Sequence, residues 1–136
     1  MDHKSFFEMY GVRNKLWKNK IRKIHRSNFI NKLWKNKAGK LHRLNGPAIE
    51  YANGEKEWFQ NGLLHRLDGP AIEYANGAKE WCQNGLLHRL DGPAIIRQDG
   101  SIDWFKYGKH FENKNDFFES LTEEEKTIAL FSKDFF

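Results

Sequence analysis

A chain of 136 residues has the size of one ordinary domain, and its 39% hydrophobic and 15% aromatic content makes a packed core attainable, chiefly from Phe, Trp and Tyr. No apolar run approaches the ~20 residues that span a bilayer, and a single cysteine excludes an intramolecular disulfide. The net charge of +5 is unevenly placed: residues 1–43 carry +11 and residues 44–136 carry −6, a polarity that bears on partners more than on fold.

The chain opens with a basic segment lacking the apolar stretch of a signal peptide, so a cytoplasmic protein is the expected default. Residues 1–12 read as a short helix or an arm. From there, Lys15, Lys18, Lys20, Arg22, Lys23, Arg26, Lys32, Lys35, Lys37 and Lys40 surround Trp17 and Trp34. Lysine and arginine neutralise phosphates and release counterions, while aromatic faces stack on bases. These residues form the candidate interface for RNA, DNA or a nucleoprotein. A charged terminal cap and a docking site for an acidic protein are the competing readings. The heptapeptide at 14–20 returns unchanged at 31–37, and His25-Arg26 returns as His42-Arg43 at the same offset. This is a degenerate, half-length repeat, as end units of a stacked array tend to be.

Clean repeats follow. Residues 42–49 recur at 65–72 and 88–95 with Asp68 and Asp91 in place of Asn45, and Trp58, Trp81 and Trp104 keep the same period of 23. Within a unit, Pro47 starts a β-prone run, Asn53-Gly54 breaks it, and Asn61-Gly62 breaks a second run around Trp58. Asn-Gly between such runs signals a hairpin, because both residues tolerate positive φ. The expected fold is therefore mainly β: a single-layer antiparallel meander of tandem hairpins. Two-residue turns place Ile49 opposite Trp58, Trp58 opposite His65 and Glu50 opposite Glu57. A three-residue first turn pairs Glu50 with Lys56 instead, and both registers stay open.

Glu50, Glu57, Glu73, Glu80 and Asp103 recur as an acidic stripe, expected on a solvated face as solubility or as an imitation of a phosphate backbone. The His65-Arg66-x-Asp68 and His88-Arg89-x-Asp91 triplets resemble catalytic or metal constellations, but a catalytic site is single and these are periodic. Turn chemistry is the simpler reading, with Arg66 pairing to the turn and His65 stacking on Trp58. The imidazoles lack zinc-ligand spacing, and no phosphate-cradling loop or nucleophile elbow is present. No enzyme activity, cofactor or metal is expected. Cys82 stands where Phe59 and Phe105 stand in neighbouring units and reads as core.

Near the C-terminus the period changes. Thr122 with Glu125 forms a capping-box pattern before Ile128, Leu130 and Phe131, which predicts a helix at about 123–132 whose apolar side covers the last strand. The organisation expected is a basic segment at 1–41, repeats at 42–111 and a helical cap at 112–136, in one structural domain.

Tyr51, Asn53-Gly54, Trp58, Asn61-Gly62 and His65 at a 23-residue period resemble the MORN repeat family, in the divergent His-Arg-x-Asp-Gly-Pro-Ala form found in phage, viral and bacterial proteins. The resemblance covers roughly residues 14–111. It implies an elongated, twisted antiparallel sheet serving as a docking surface. By analogy it also admits host-directed inhibition of a defence nucleoprotein, of the anti-CRISPR kind, inside a bacterial cytoplasm. A non-enzymatic module binding a nucleic acid or a nucleic-acid-handling protein is the leading expectation. A self-associating scaffold and an antitoxin-like protein are the alternatives.

Overall fold

The computed structural model describes residues 30–133 and Phe135, so every reading on residues 1–29, including Lys15, Trp17, Lys18, Lys20, Arg22, Lys23 and Arg26, lies outside the described residues. The described chain is mainly antiparallel β with two short helices at its C-terminal end. Strand β1 (Ile30–Leu33) pairs with β2 (Ile49–Tyr51), and β3 (Lys56–Glu57), β6 (Ile72–Glu73), β7 (Lys79–Glu80), β10 (Ile95–Ile96), β11 (Ile102–Lys106) and β12 (Lys109–Phe111) extend the same sheet in that spatial order. The strands absent from that order form two hairpins: β4 (Phe59–Gln60) with β5 (Leu63–Leu64), and β8 (Cys82–Gln83) with β9 (Leu86–Leu87). Each unit thus supplies one strand pair to the main sheet and one hairpin to a second row, with its Trp at the junction. In the last unit β11 runs unbroken through Trp104, pairing with β10 on one side of that residue and with β12 on the other.

The two turns of a unit differ in length, and this decides the register. Asn61 and Gly62 both have positive φ, 50° and 81°, and close a two-residue turn with Gln60 opposite Leu63. The first turn takes three residues: the Tyr51 amide donates to the Glu55 carbonyl at 2.9 Å, and Gly54 alone adopts positive φ, 91°. Glu50 therefore faces Lys56, and Ile49 faces Glu57. The two-residue alternative, with Glu50 opposite Glu57, does not occur. It would have placed like charges directly across the ladder.

The next unit is attached through the second row. Each hairpin turn donates a glycine amide to a carbonyl of the preceding hairpin: Gly62 to Leu41, Gly85 to Leu64 and Gly108 to Leu87, all at 2.8 Å. Residues 35–41 make the first such hairpin among the described residues, with a longer loop bridged by Lys35 and Leu41, while the half-length copy that starts at residue 14 lies outside the described residues. The core is correspondingly serial. One cluster gathers Leu41, Ala48, Ile49, Tyr51 and Phe59, and the next gathers Ala71, Cys82, Leu87, Ala94 and Phe105. Cys82 fills the position of Phe59 and Phe105 and is fully buried.

The last cluster joins Trp104 and Phe111 to the helices α1 (Lys114–Glu119) and α2 (Glu123–Leu130) through Phe117, Leu121, Ala129 and Phe135. The capping box of Thr122 and Glu125 forms as expected. The burial expected of α2 does not: Ile128, Leu130 and Phe131 are exposed, and Ala129 is the residue it buries. Phe117 and Phe135 take the place those side chains were expected to fill, packing against Trp104 at ring-centroid distances of 5.1 and 5.6 Å.

Between the rows, each Gly-Pro loop is held by its arginine. The guanidiniums of Arg43, Arg66 and Arg89 lie 3.9 Å over the rings of Trp34, Trp58 and Trp81. On their other side they touch glycine: a Cβ at Gly46, Gly69 or Gly92 would meet the guanidinium carbon at 2.8, 2.9 or 2.7 Å. These glycines are required for close approach and not for φ. Arg43 is half-buried, whereas Arg89 is 5% exposed and has less room to yield. Gly92→Ala should therefore cost about 2–3 kcal/mol in a urea titration, and Gly46→Ala about 1 kcal/mol or less. Equal small costs at the two sites would contradict the sandwich.

Candidate functional site

The repeated His-Arg-x-Asp-Gly-Pro sequence builds a row of stacked loops in which the arginines, Asp68, Asp91 and the histidine Nδ1 atoms have structural partners. The Arg66 Nε donates to Asp68 Oδ1 at 2.8 Å and its Nη1 donates to the Pro70 carbonyl at 3.1 Å; Arg89 repeats both contacts with Asp91 and Pro93. Arg66 also reaches Glu73 at 3.3 Å. The Arg66 guanidinium holds the Asp68 carboxyl below the usual carboxylate range.

The histidines do not stack on tryptophan as the sequence suggested, because arginine occupies that ring face. They tie successive units together. His42, His65 and His88 each accept at Nδ1 the backbone amide of the next turn, from Asn61, Asn84 and Tyr107 at 3.0, 3.0 and 2.9 Å. The ring proton therefore sits on Nε2. His88 also stacks on Tyr107 with centroids 3.9 Å apart.

The third residue of the motif behaves differently. Leu44 and Leu67 project from their loops into solvent, whereas Leu90 is half-buried against the cluster around Trp104 and Phe117. Between the second and third loops lies a groove of about 510 Å³, lined by Leu67, Pro70, Trp81, Gln83, His88 and Leu90 among others, with Ile128 of α2 at its side. Sequence reasoning missed this surface. The available signal was a leucine kept in each copy inside a stretch of turn residues, where burial is not the rule.

The acidic residues do not share one face. Glu57 and Glu80 are buried, at 2% and 8% exposure. Each lies opposite isoleucines of both neighbouring strands, Ile49 and Ile72 for Glu57, and Ile72 and Ile95 for Glu80. The three-residue turn turns them inward, since residues directly opposite share a face. The Tyr74 hydroxyl donates to Glu80 at 3.0 Å. Burial and the Glu57 carboxylate push the Tyr51 phenol far above its usual range. In the third unit this pair becomes Arg97 with Asp103, which His110 also approaches at 3.3 Å. Glu50 and Glu73 are partly exposed and face Lys56; Glu50 also meets Lys32 at 3.9 Å. The stripe expected on a solvated face thus divides between core and surface.

At the other end, Lys32, Lys35, Lys37 and Lys40 are exposed. Among the described residues no carboxylate pairs with Lys35, Lys37 or Lys40. Trp34 is half-buried with Arg43 over one ring face, so this end offers ammonium groups more than a free stacking platform. No group of three or more His, Cys, Asp or Glu suited to a metal occurs among the described residues, and no described helix is long and apolar enough to cross a membrane. Comparison with family models, with curated proteins and with solved structures finds no match to this chain.

Burial holds His88 below its ordinary value of 6.5, with Glu125 opposing and Lys106 adding to the shift. Below that value the unfolded chain takes up a proton that the folded chain resists, so this contribution to stability is present at neutral pH and is lost as pH falls. The slope from one such group is at most ~1.4 kcal/mol per pH unit. The urea midpoint should fall between neutral pH and pH ~5, and less steeply in His88→Gln. Parallel pH profiles for the two proteins would rule out His88 as the source.

Proposed function

We propose that this chain is a non-enzymatic repeat module of MORN-like type that binds a nucleic acid or a nucleic-acid-handling protein through its basic end. The observation that carries the reading is the exposed lysine group on the end unit, Lys35, Lys37 and Lys40, which no described carboxylate neutralises. A basic patch fixed on a rigid frame attracts phosphate by releasing counterions, whatever the base sequence. Ten of the thirteen cations of residues 1–43 belong to the candidate set named from sequence, so the described lysines are part of a larger positive region. The non-enzymatic part of the proposal rests on the use of the motif: its His, Arg and Asp side chains are engaged in bonds that recur from unit to unit. Acting on a nucleoprotein, such a module serves as an inhibitor of the anti-defence type that the repeat resemblance suggests.

Filter binding of the purified chain to single-stranded RNA across a salt series tests this. Affinity should fall steeply with salt, and Lys35→Gln, Lys37→Gln and Lys40→Gln together should flatten the log–log slope by about 2 to 3. Binding that ignores ionic strength, or a triple variant with the parent's slope, would refute the role of this end.

A further inference from the structure

We propose that the leucine-bearing loop face receives the basic end of a second copy of this chain, giving head-to-tail self-association. Single exposed leucines are ordinary on protein surfaces, but a cluster beside a groove is not. Leu67 and Ile128 of α2, 74% and 53% exposed, line the groove together with Pro70, Trp81 and Leu90. The molecule itself shows how this loop position is covered when something lies on it, for the equivalent Leu90 packs under the C-terminal helices.

The charge around the groove selects the occupant. In both ion pairs of the loops that line the groove the acid is the outer member, Asp68 being 87% exposed against 20% for Arg66 and Asp91 46% against 5% for Arg89, and on α2 Glu123 is 92% exposed against 22% for Lys126. The surface therefore presents carboxylates among apolar side chains, over a region whose net charge is −6. A complementary segment must carry cations interleaved with apolar residues. Residues 14–26 have that chemistry, with Leu16, Trp17, Ile21 and Ile24 among Lys15, Lys18, Lys20, Arg22, Lys23 and Arg26, and Lys35 and Lys37 continue the charge on the end unit. Lys35 and Lys37 are carried by the first unit and the groove lies between the second and third loops of the same rigid array, so they meet that groove only on another copy. The contact is heterologous, and it leaves a free donor and a free acceptor on every pair.

Sedimentation velocity on the nuclease-treated full chain tests the assignment at low and high protein concentration and at low and high salt. The mass should rise with concentration to at least twice that of one chain and fall back in high salt. An acceptor variant, Leu67→Asp with Ile128→Asp, and a donor variant, Lys18→Glu, Lys20→Glu, Lys35→Glu and Lys37→Glu, should each be monomeric. Circular dichroism and thermal melts should match the parent for the acceptor variant, since both its sites are exposed. An equimolar mixture should recover a two-chain species and nothing larger. A parent monomeric at every concentration, variants that assemble like the parent, or a mixture that stays monomeric would each overturn the proposal. The acceptor variant keeps every lysine, so its RNA binding separates failure of self-association from failure of the nucleic-acid reading.

Discussion

One guanidinium per unit, pressed between an indole and a glycine, organises this molecule. The arginine joins parts of the unit that the strand ladder leaves separate: the Trp at the junction of the two rows, and the Gly-Pro loop leading into the next strand. A cation over an aromatic face contributes about 0.5–2 kcal/mol, and a hydrogen bond from a charged donor about 1.5–3 kcal/mol. Strands of two or three residues, as most are here, have little ladder of their own, so these contacts carry much of the definition of the unit. The signature residues follow from this arrangement. Glycine lets the guanidinium approach, proline offers its carbonyl, and aspartate holds Nε.

Histidine adds the coupling between units that arginine does not supply. By accepting the amide of the next turn it satisfies a backbone donor that a two-residue turn would otherwise leave to solvent. The buried glutamates do comparable work on the main sheet. Tyr74 answers Glu80, and Arg97 answers Asp103 one unit later, so the chemistry changes while the place of the pair persists. A buried carboxylate is costly when unanswered, which explains why tyrosine and acid recur six residues apart.

Because the arginines and histidines of the motif are engaged inside the array, and of its polar groups only the aspartates flank the groove, the surfaces left for partners lie largely outside those contacts. These are the lysines of the first unit, the leucines at the loop tips and the outer side of α2. They lie on different parts of the array and carry opposite character, cationic on the first described unit and apolar with carboxylates around the groove. Both proposals draw on that polarity, which the charge distribution along the chain already announces.

Sequence alone determined the period, the hairpin chemistry, the mainly β architecture and the capped C-terminal helix, because turn residues and capping boxes act over a few positions and leave local signatures. It also indicated that the His-Arg-x-Asp residues serve the fold, since a feature present in every unit belongs to the unit. Tertiary structure decided the rest. One extra residue in each of the Asn53-Gly54 and Asn76-Gly77 turns turned Glu57 and Glu80 into the core, because side chains alternate along a strand and a single step exchanges the two faces. The partner of each tryptophan, the division into two rows, and the exposure of Ile128 and Phe131 depend on contacts between residues distant in the chain. The same leucine is bare at 67 and covered at 90 only because the C-terminal helices pack on the last unit, and no local pattern encodes where a later segment will lie.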